Sequence, residues 1–139
     1  AHVNVQEIMT KMPAMLDAQK QLEKLSSTYD GEYKTMVEEY QNRIKKYEQE
    51  AATVSDKLNE ERSKEVQEMQ KRIVDFRDNA QKELQKKEAD LTKPIIDKVK
   101  ASIAKVGKAK GYQYILNGSE LLLADGPDIT ADVKKDLGF

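Results

Sequence analysis

Few residues of this 139-residue chain have the type and spacing to do chemistry. His2 is the only histidine and there is no cysteine, so no His/Cys set exists to hold a transition metal. The many acidic residues sit singly along helical faces rather than in convergent pairs, which leaves no general acid and base to work together. GKAKG at 107–111 lacks the spacing of a phosphate-binding loop, and it precedes a strand-like stretch instead of opening a helix. It reads as a helix end, with Gly107 and Gly111 stopping the helix and Lys105, Lys108 and Lys110 near the negative end of its dipole. Asn117-Gly118-Ser119 has the form of a glycosylation acceptor, yet a tight-turn role accounts for the same residues. The expectation is a protein that is not an enzyme: no catalytic residue, no cofactor and no metal.

Composition narrows the class further. Lys and Arg number 24 against 25 Asp and Glu, giving a net charge of −1 and no basic footprint for nucleic acid. The chain is 35% charged and 38% apolar, without Trp, which is thin material for one compact globule. An elongated helical protein burying a stripe fits better. No apolar run is long enough to span a bilayer, so membrane contact is at most peripheral. No signal peptide is read in the sequence, and Ala1 is compatible with a processed end.

The middle of the sequence carries the stripes. Leu22, Leu25, Tyr29, Tyr33, Met36, Tyr40, Ile44, Tyr47 and Ala51 follow at steps of three or four, one face of a helix. Leu25, Met36, Tyr47 and Leu58 recur every eleven residues, a period that keeps a seam nearly straight or slightly right-handed. A second stripe runs Val66, Met69, Ile73, Phe76, Ala80, Leu84, Leu91, Ile95, Val99, Ile103, Val106. Between them NEERSKE at 59–65 has no apolar residue, and Thr53-Val54-Ser55-Asp56 has the spacing of a capping box. Either place can reverse the chain, and a single continuous helix remains open because neither holds Gly or Pro. The hairpin is favoured, since each stripe needs a partner; arms of about 40 residues would span roughly 60 Å. Pro13 suits a first helical turn, Gly31 marks a soft spot, and Pro94 is expected to bend the second arm.

The ends differ. GYQYIL and ELLLAD flank Asn117-Gly118, the dipeptide that tolerates positive φ in a tight hairpin, and their near-continuous apolar character predicts strands covered on both faces. Ala1 to Val5 alternates as a third strand would. If the middle is a hairpin, first and last strands meet. Three short strands are too small to stand alone, and sharing them among several chains is the expected remedy. Asp128 is expected to cap a last helix with Ile129, Val133 and Leu137 on one face, a clasp over the shared core.

The opening VNVQEI, the stretch LTKPIIDKVKASIAKVGKAKGYQYIL and the ending DITADVKKDL resemble the Skp/OmpH family of periplasmic outer-membrane-protein chaperones. The resemblance runs through the whole sequence and is specific at its ends. It implies a mainly α fold with a small β body: a long α-helical hairpin, or coiled-coil tentacle, on an oligomeric β-sheet base, in a jellyfish-like homotrimer. It also implies ATP-independent holding of unfolded outer-membrane proteins in the periplasm, after removal of a signal peptide. The division expected is a body of residues 1–12 and 111–139 and an arm of 13–110, turning between 51 and 64. Body strands would lie at 3–5, 112–116 and 121–124. The residues assigned to assembly are Val3, Val5, Tyr112, Tyr114, Leu116, Leu121, Leu122, Leu123, Ile129 and Val133. One departure is charge: well-known members are strongly basic.

Holding a client needs many weak apolar contacts on adaptable side chains. Val37 and Val74 lie beside the stripes and are the cleaner candidates. Tyr33, Met36, Tyr40 and Tyr47 are further candidates, although packing in the hairpin seam is the favoured reading of each. A structural coiled-coil spacer or tether shares every helical feature and is the alternative. A prefoldin-like chaperone is disfavoured because the strands lie at the two termini. A lipid-binding amphipathic helix is disfavoured by narrow, tyrosine-rich stripes and polar faces that are not basic.

Overall fold

The structure, a computed structural model, describes residues 1–139. In sequence order it comprises β1 (His2–Val3), α1 (Val5–Lys11), α2 (Pro13–Glu50), a 3-10 turn (Ala51–Thr53), α3 (Asp56–Ala109), β2 (Leu116–Asn117), a second 3-10 turn (Gly118–Glu120) and α4 (Thr130–Leu137). The fold is mainly helical, as the sequence predicts. Two compact units divide the protein: Ala1–Leu22 with Lys87–Phe139, and Glu23–Lys86. The first therefore takes in the start of α2 and the end of α3, which the sequence pattern alone assigns to the arm.

Local chemistry sets the helix limits. Asn4 ends β1 and caps α1, its Oδ1 accepting from the Glu7 amide at 2.9 Å. Residues 3–5 are thus not one strand, and Val5 is already helical. Met12 adopts ψ 123 because the residue before a proline is pushed out of the helical region, while its own N–H still reaches Ile8 O. Pro13 then opens α2, where its missing N–H costs nothing.

The helix breaks at 51–55, so the continuous helix is excluded. Ser55 rather than Thr53 caps α3, accepting from the Leu58 amide at 3.2 Å. Thr53 instead donates back to Glu50 O at 2.8 Å, and Asn59 Nδ2 donates to Ala51 O at 3.0 Å. Pro94 lies inside α3, which continues past it. Gly111 ends α3 at φ +79 with the Tyr112 amide bonded to Gly107 O at 2.9 Å. Gly107 is not a stop but a close approach: a Cβ there would sit 2.8 Å from Ile115 Cδ1.

In the terminal unit the two termini do meet, by a different route from the one expected. β1 pairs with β2 in parallel, His2 opposite Leu116 and Val3 opposite Asn117. On its other side His2 forms a parallel bridge to Asp128, with His2 N to Pro127 O and Ile129 N to His2 O both at 3.0 Å. The Asn-Gly hairpin does not form. Asn117 has φ −74 and ψ 117, Gly118 is not among the positive-φ glycines, and residues 121–124 form no strand. The reason is competition: the incoming N-terminal strand takes the edge of 116–117, and Gly118 lets it approach. A Cβ at Gly118 would lie 3.2 Å from His2 Cδ2 and 3.5 Å from Val3 O. One sequence cannot show that a partner from a hundred residues away outbids a local turn.

The core of this unit contains Val3, Ile8, Met12, Ala18, Ile95, Val99, Ile129 and Val133, with Leu91, Ile103, Val106, Tyr112, Ile115 and Leu137 packed against it. Val5 packs at its margin. The face Ile129–Val133–Leu137 closes on this core, so α4 is a clasp within its own chain. Its start differs from the expectation by one step. The helix begins at Thr130, whose amide and hydroxyl both donate to Asp128 Oδ1, at 2.9 and 2.5 Å. The same Thr130 Oγ1 accepts from Asn4 N at 2.9 Å, joining both termini. Further ties are Lys134 to Glu7, Lys105 Nζ to Asp136 at 2.5 Å, Lys110 Nζ to Asp132 at 3.2 Å, and Ser102 Oγ donating to Asp136 at 2.7 Å.

Candidate functional site: a half-buried seam and an exposed apolar stretch

In the unit Glu23–Lys86 the two helices run antiparallel. Tyr29 meets Phe76 edge to face with ring centroids 6.0 Å apart, Arg43 pairs with Glu65, and Arg62 Nη1 reaches Glu50 at 2.9 Å. Partners descend on one limb of the hairpin as they rise on the other. The striped residues form the seam, and two helices alone cannot enclose it. No residue from 23 to 86 is buried; the seam side chains stay half-open.

Three open grooves follow from this incomplete packing. One, of about 500 Å³, is lined by Ile44, Tyr47, Ala51, Asn59, Arg62 and Val66 among others. A second, of about 450 Å³, has Tyr29, Tyr33, Phe76, Ala80 and Leu84 on its walls. Met36 opens onto a smaller one with Met69 and Ile73. Tyr33, Met36, Tyr40 and Tyr47 are thus all half-buried seam residues. Val37 is half-buried beside the seam, and Val74 is 54% exposed.

Tyr47 is the most constrained of the candidates. Its hydroxyl donates to Glu65 Oε2 at 2.5 Å and accepts from Arg43 Nη1 at 3.5 Å, and the Arg62 guanidinium sits 4.4 Å above the ring. The Tyr47 hydrogen bond, and after it the charge of Arg43, holds the Glu65 carboxyl below its ordinary value. Sequence reasoning missed this cage of Arg43, Glu50, Arg62 and Glu65. Its signal was the apolar-free NEERSKE, where Arg62 and Glu65 stand in line with the stripe that resumes at Val66.

The assembly candidates separate into three groups. Val3, Ile129 and Val133 are 2%, 2% and 0% exposed, spent inside their own chain, while Val5, Tyr112 and Leu121 are partly buried. Tyr114, Leu116, Leu122 and Leu123 are exposed, and Leu122 projects entirely into solvent. The stretches expected to be strands covered on both faces are therefore covered only in part, through Tyr112, Ile115 and Leu121. Between Leu122 and Gly126 no backbone amide bonds to another backbone group, so this stretch offers free polar groups beside its leucines. No group of His, Cys, Asp and Glu could hold a metal, and no helix is long and apolar enough to cross a membrane.

A half-open antiparallel helical hairpin and a unit closed by the two termini define a mainly helical class of protein built on a long helical hairpin. By its sequence the chain belongs to the OmpH-like family: the family described as "Outer membrane protein (OmpH-like)" matches residues 1–137. No curated protein matches it. Among solved structures, it is similar to a Caulobacter crescentus protein provisionally designated an outer membrane chaperone (OmpH-like). The TM-score is 0.89 at 16% identity, covering 99% of this chain and 82% of that one. At that identity the likeness concerns the fold.

Proposed function

We propose that the protein is an ATP-independent holdase chaperone of the periplasm, which binds unfolded outer-membrane proteins and prevents their aggregation. Family membership and the fold shared with an OmpH-like outer membrane chaperone support the chaperone role. The observation that carries the holding mechanism is the half-buried seam of Glu23–Lys86. An unfolded β-barrel protein exposes alternating apolar residues that pair edge to edge and aggregate. Side chains left half-open along a seam offer it many weak, non-directional contacts, and none is tight enough to trap it. Val37, Val74, Tyr33, Met36 and Tyr40 are the proposed contacts. Tyr47 contributes its ring edge at most, because its hydroxyl and upper face are engaged.

The working form is a homotrimer whose hairpin units together enclose the client. Tyr114, Leu116, Leu122 and Leu123 are the proposed contacts between subunits, since large apolar side chains gathered in one stretch mark an interaction surface. The terminal residues form the assembly body, and the hairpin residues form the tentacle. Light scattering of an unfolded β-barrel protein diluted from denaturant tests the reading. Suppression without nucleotide is expected; unchanged scattering would leave the spacer or tether as the better account.

A further inference from the structure

Asn117-Gly118 has no role as a hairpin turn here, and its surroundings give it a different chemistry. Asn117 Oδ1 is buried without a hydrogen-bond partner. The backbone on either side is held against β1: Val3 is the register partner of Asn117, and Gly118 packs against His2 and Val3 O. We propose that Asn117 is a deamidation site that the native fold restrains, and that its reaction product loosens the junction between the two termini.

The reaction needs only water and base. Hydroxide removes the proton of the Gly118 backbone amide, whose nitrogen attacks Asn117 Cγ. The Cγ–Nδ2 bond breaks, ammonia leaves with a proton taken from water, and a succinimide remains. Water then opens either carbonyl of the ring, giving aspartate or isoaspartate. Glycine is the most permissive successor, since no Cβ hinders the approach of its nitrogen. Ring closure requires rotation about the Asn117 Cα–C bond, because ψ 117 turns the Gly118 nitrogen away from Cγ. That rotation carries Gly118 out of its fit against β1. Reaction therefore proceeds through local opening of the β1–β2 junction.

The product does not fit the native site. Aspartate places a carboxylate where a neutral oxygen already lacks a partner, and isoaspartate adds a backbone atom to β2 and carries its carboxylate on Cα. Across the strand, the His2 ring beside Gly118 faces Asp128 with Nε2 to Oδ2 at 3.7 Å. Opening thus becomes one-way: a protein that has reacted does not close as before.

The test incubates the full-length protein in mildly alkaline buffer, native or unfolded in urea, and follows Asn117 by peptide mass spectrometry with enzymatic isoaspartate labelling. The unfolded protein should convert at Asn117, with the native protein slower by about tenfold or more. Asp128→Ala, which removes the Thr130 anchor beside β1, should bring the native rate towards the unfolded one. Purified converted protein should melt at lower temperature than unconverted protein. Equal native and unfolded rates, no conversion in the unfolded protein, or an unaltered melt after conversion would each overturn the proposal.

Discussion

Replacing Leu122 and Leu123 by serine should separate assembly from folding. Both leucines are exposed in the single subunit, at 107% and 75%, so the monomer loses little burial when they go. Exposed substitutions of this kind shift stability within about 0.5 kcal/mol. In the proposed trimer both become buried, and each contributes about 2 kcal/mol of transfer free energy. Loss of the pair therefore weakens association by about 4 kcal/mol per subunit, roughly a thousandfold in the equilibrium for each subunit. Sedimentation velocity over a concentration series reads the assembly, and far-UV circular dichroism of dilute protein reads the monomer fold. The expected result is a double variant that dissociates at concentrations where the parent stays assembled, with unaltered helix content. An unchanged sedimentation profile across the series would show that the exposed leucines are not the contact between subunits.

Core and seam should respond differently to truncation. Val133→Ala removes two methyl groups from a fully buried site and should cost about 2 kcal/mol, whereas Val74→Ala should stay within about 0.5 kcal/mol in urea unfolding. Val37→Ser with Val74→Ser should weaken aggregation suppression, at a stability cost of about 1 kcal/mol that falls on the half-buried Val37; moderate salt should not release the client from the parent, because the contacts are apolar. Acid should loosen the terminal unit. Glu7 is held below its ordinary value by Lys134 and then Lys11, Asp128 by Thr130, and Asp136 by Lys105 and then Ser102. Depressed carboxyl pKa values give stability that is present above the unfolded value and lost as pH falls through the lower folded values. Melting temperature should therefore drop through and below the ordinary carboxylate range, and Asp136→Asn should flatten that slope.

Legibility in the sequence followed the range of the interactions. The stripes were readable because helical periodicity is local: each residue from Leu22 to Tyr47 in the first stripe, and from Val66 to Val106 in the second, is half-buried or buried. Pro13 and Gly111 act where backbone rules put them. The β segments were not readable in detail. Asn117-Gly118 carries a strong hairpin signal, but β1 arrives from the other terminus and takes the pairing. Asn4 looked like part of an alternating strand, and its side chain instead caps α1. Val3, Ile129 and Val133, expected at an assembly surface, lie buried within their own chain for a related reason: apolar character marks a residue for burial without saying what buries it. The Tyr47 cage was hidden because its charges look like ordinary solvated surface until Arg43 and Glu65 are brought together across the hairpin.

Native mass spectrometry of the protein mixed with an unfolded β-barrel client, without nucleotide, tests the holding claim most directly. The account predicts a complex with the mass of three subunits plus one client, which the Val37→Ser, Val74→Ser variant forms more weakly. A protein that stays free of client in its assembled state, or a client bound by single subunits alone, would contradict it.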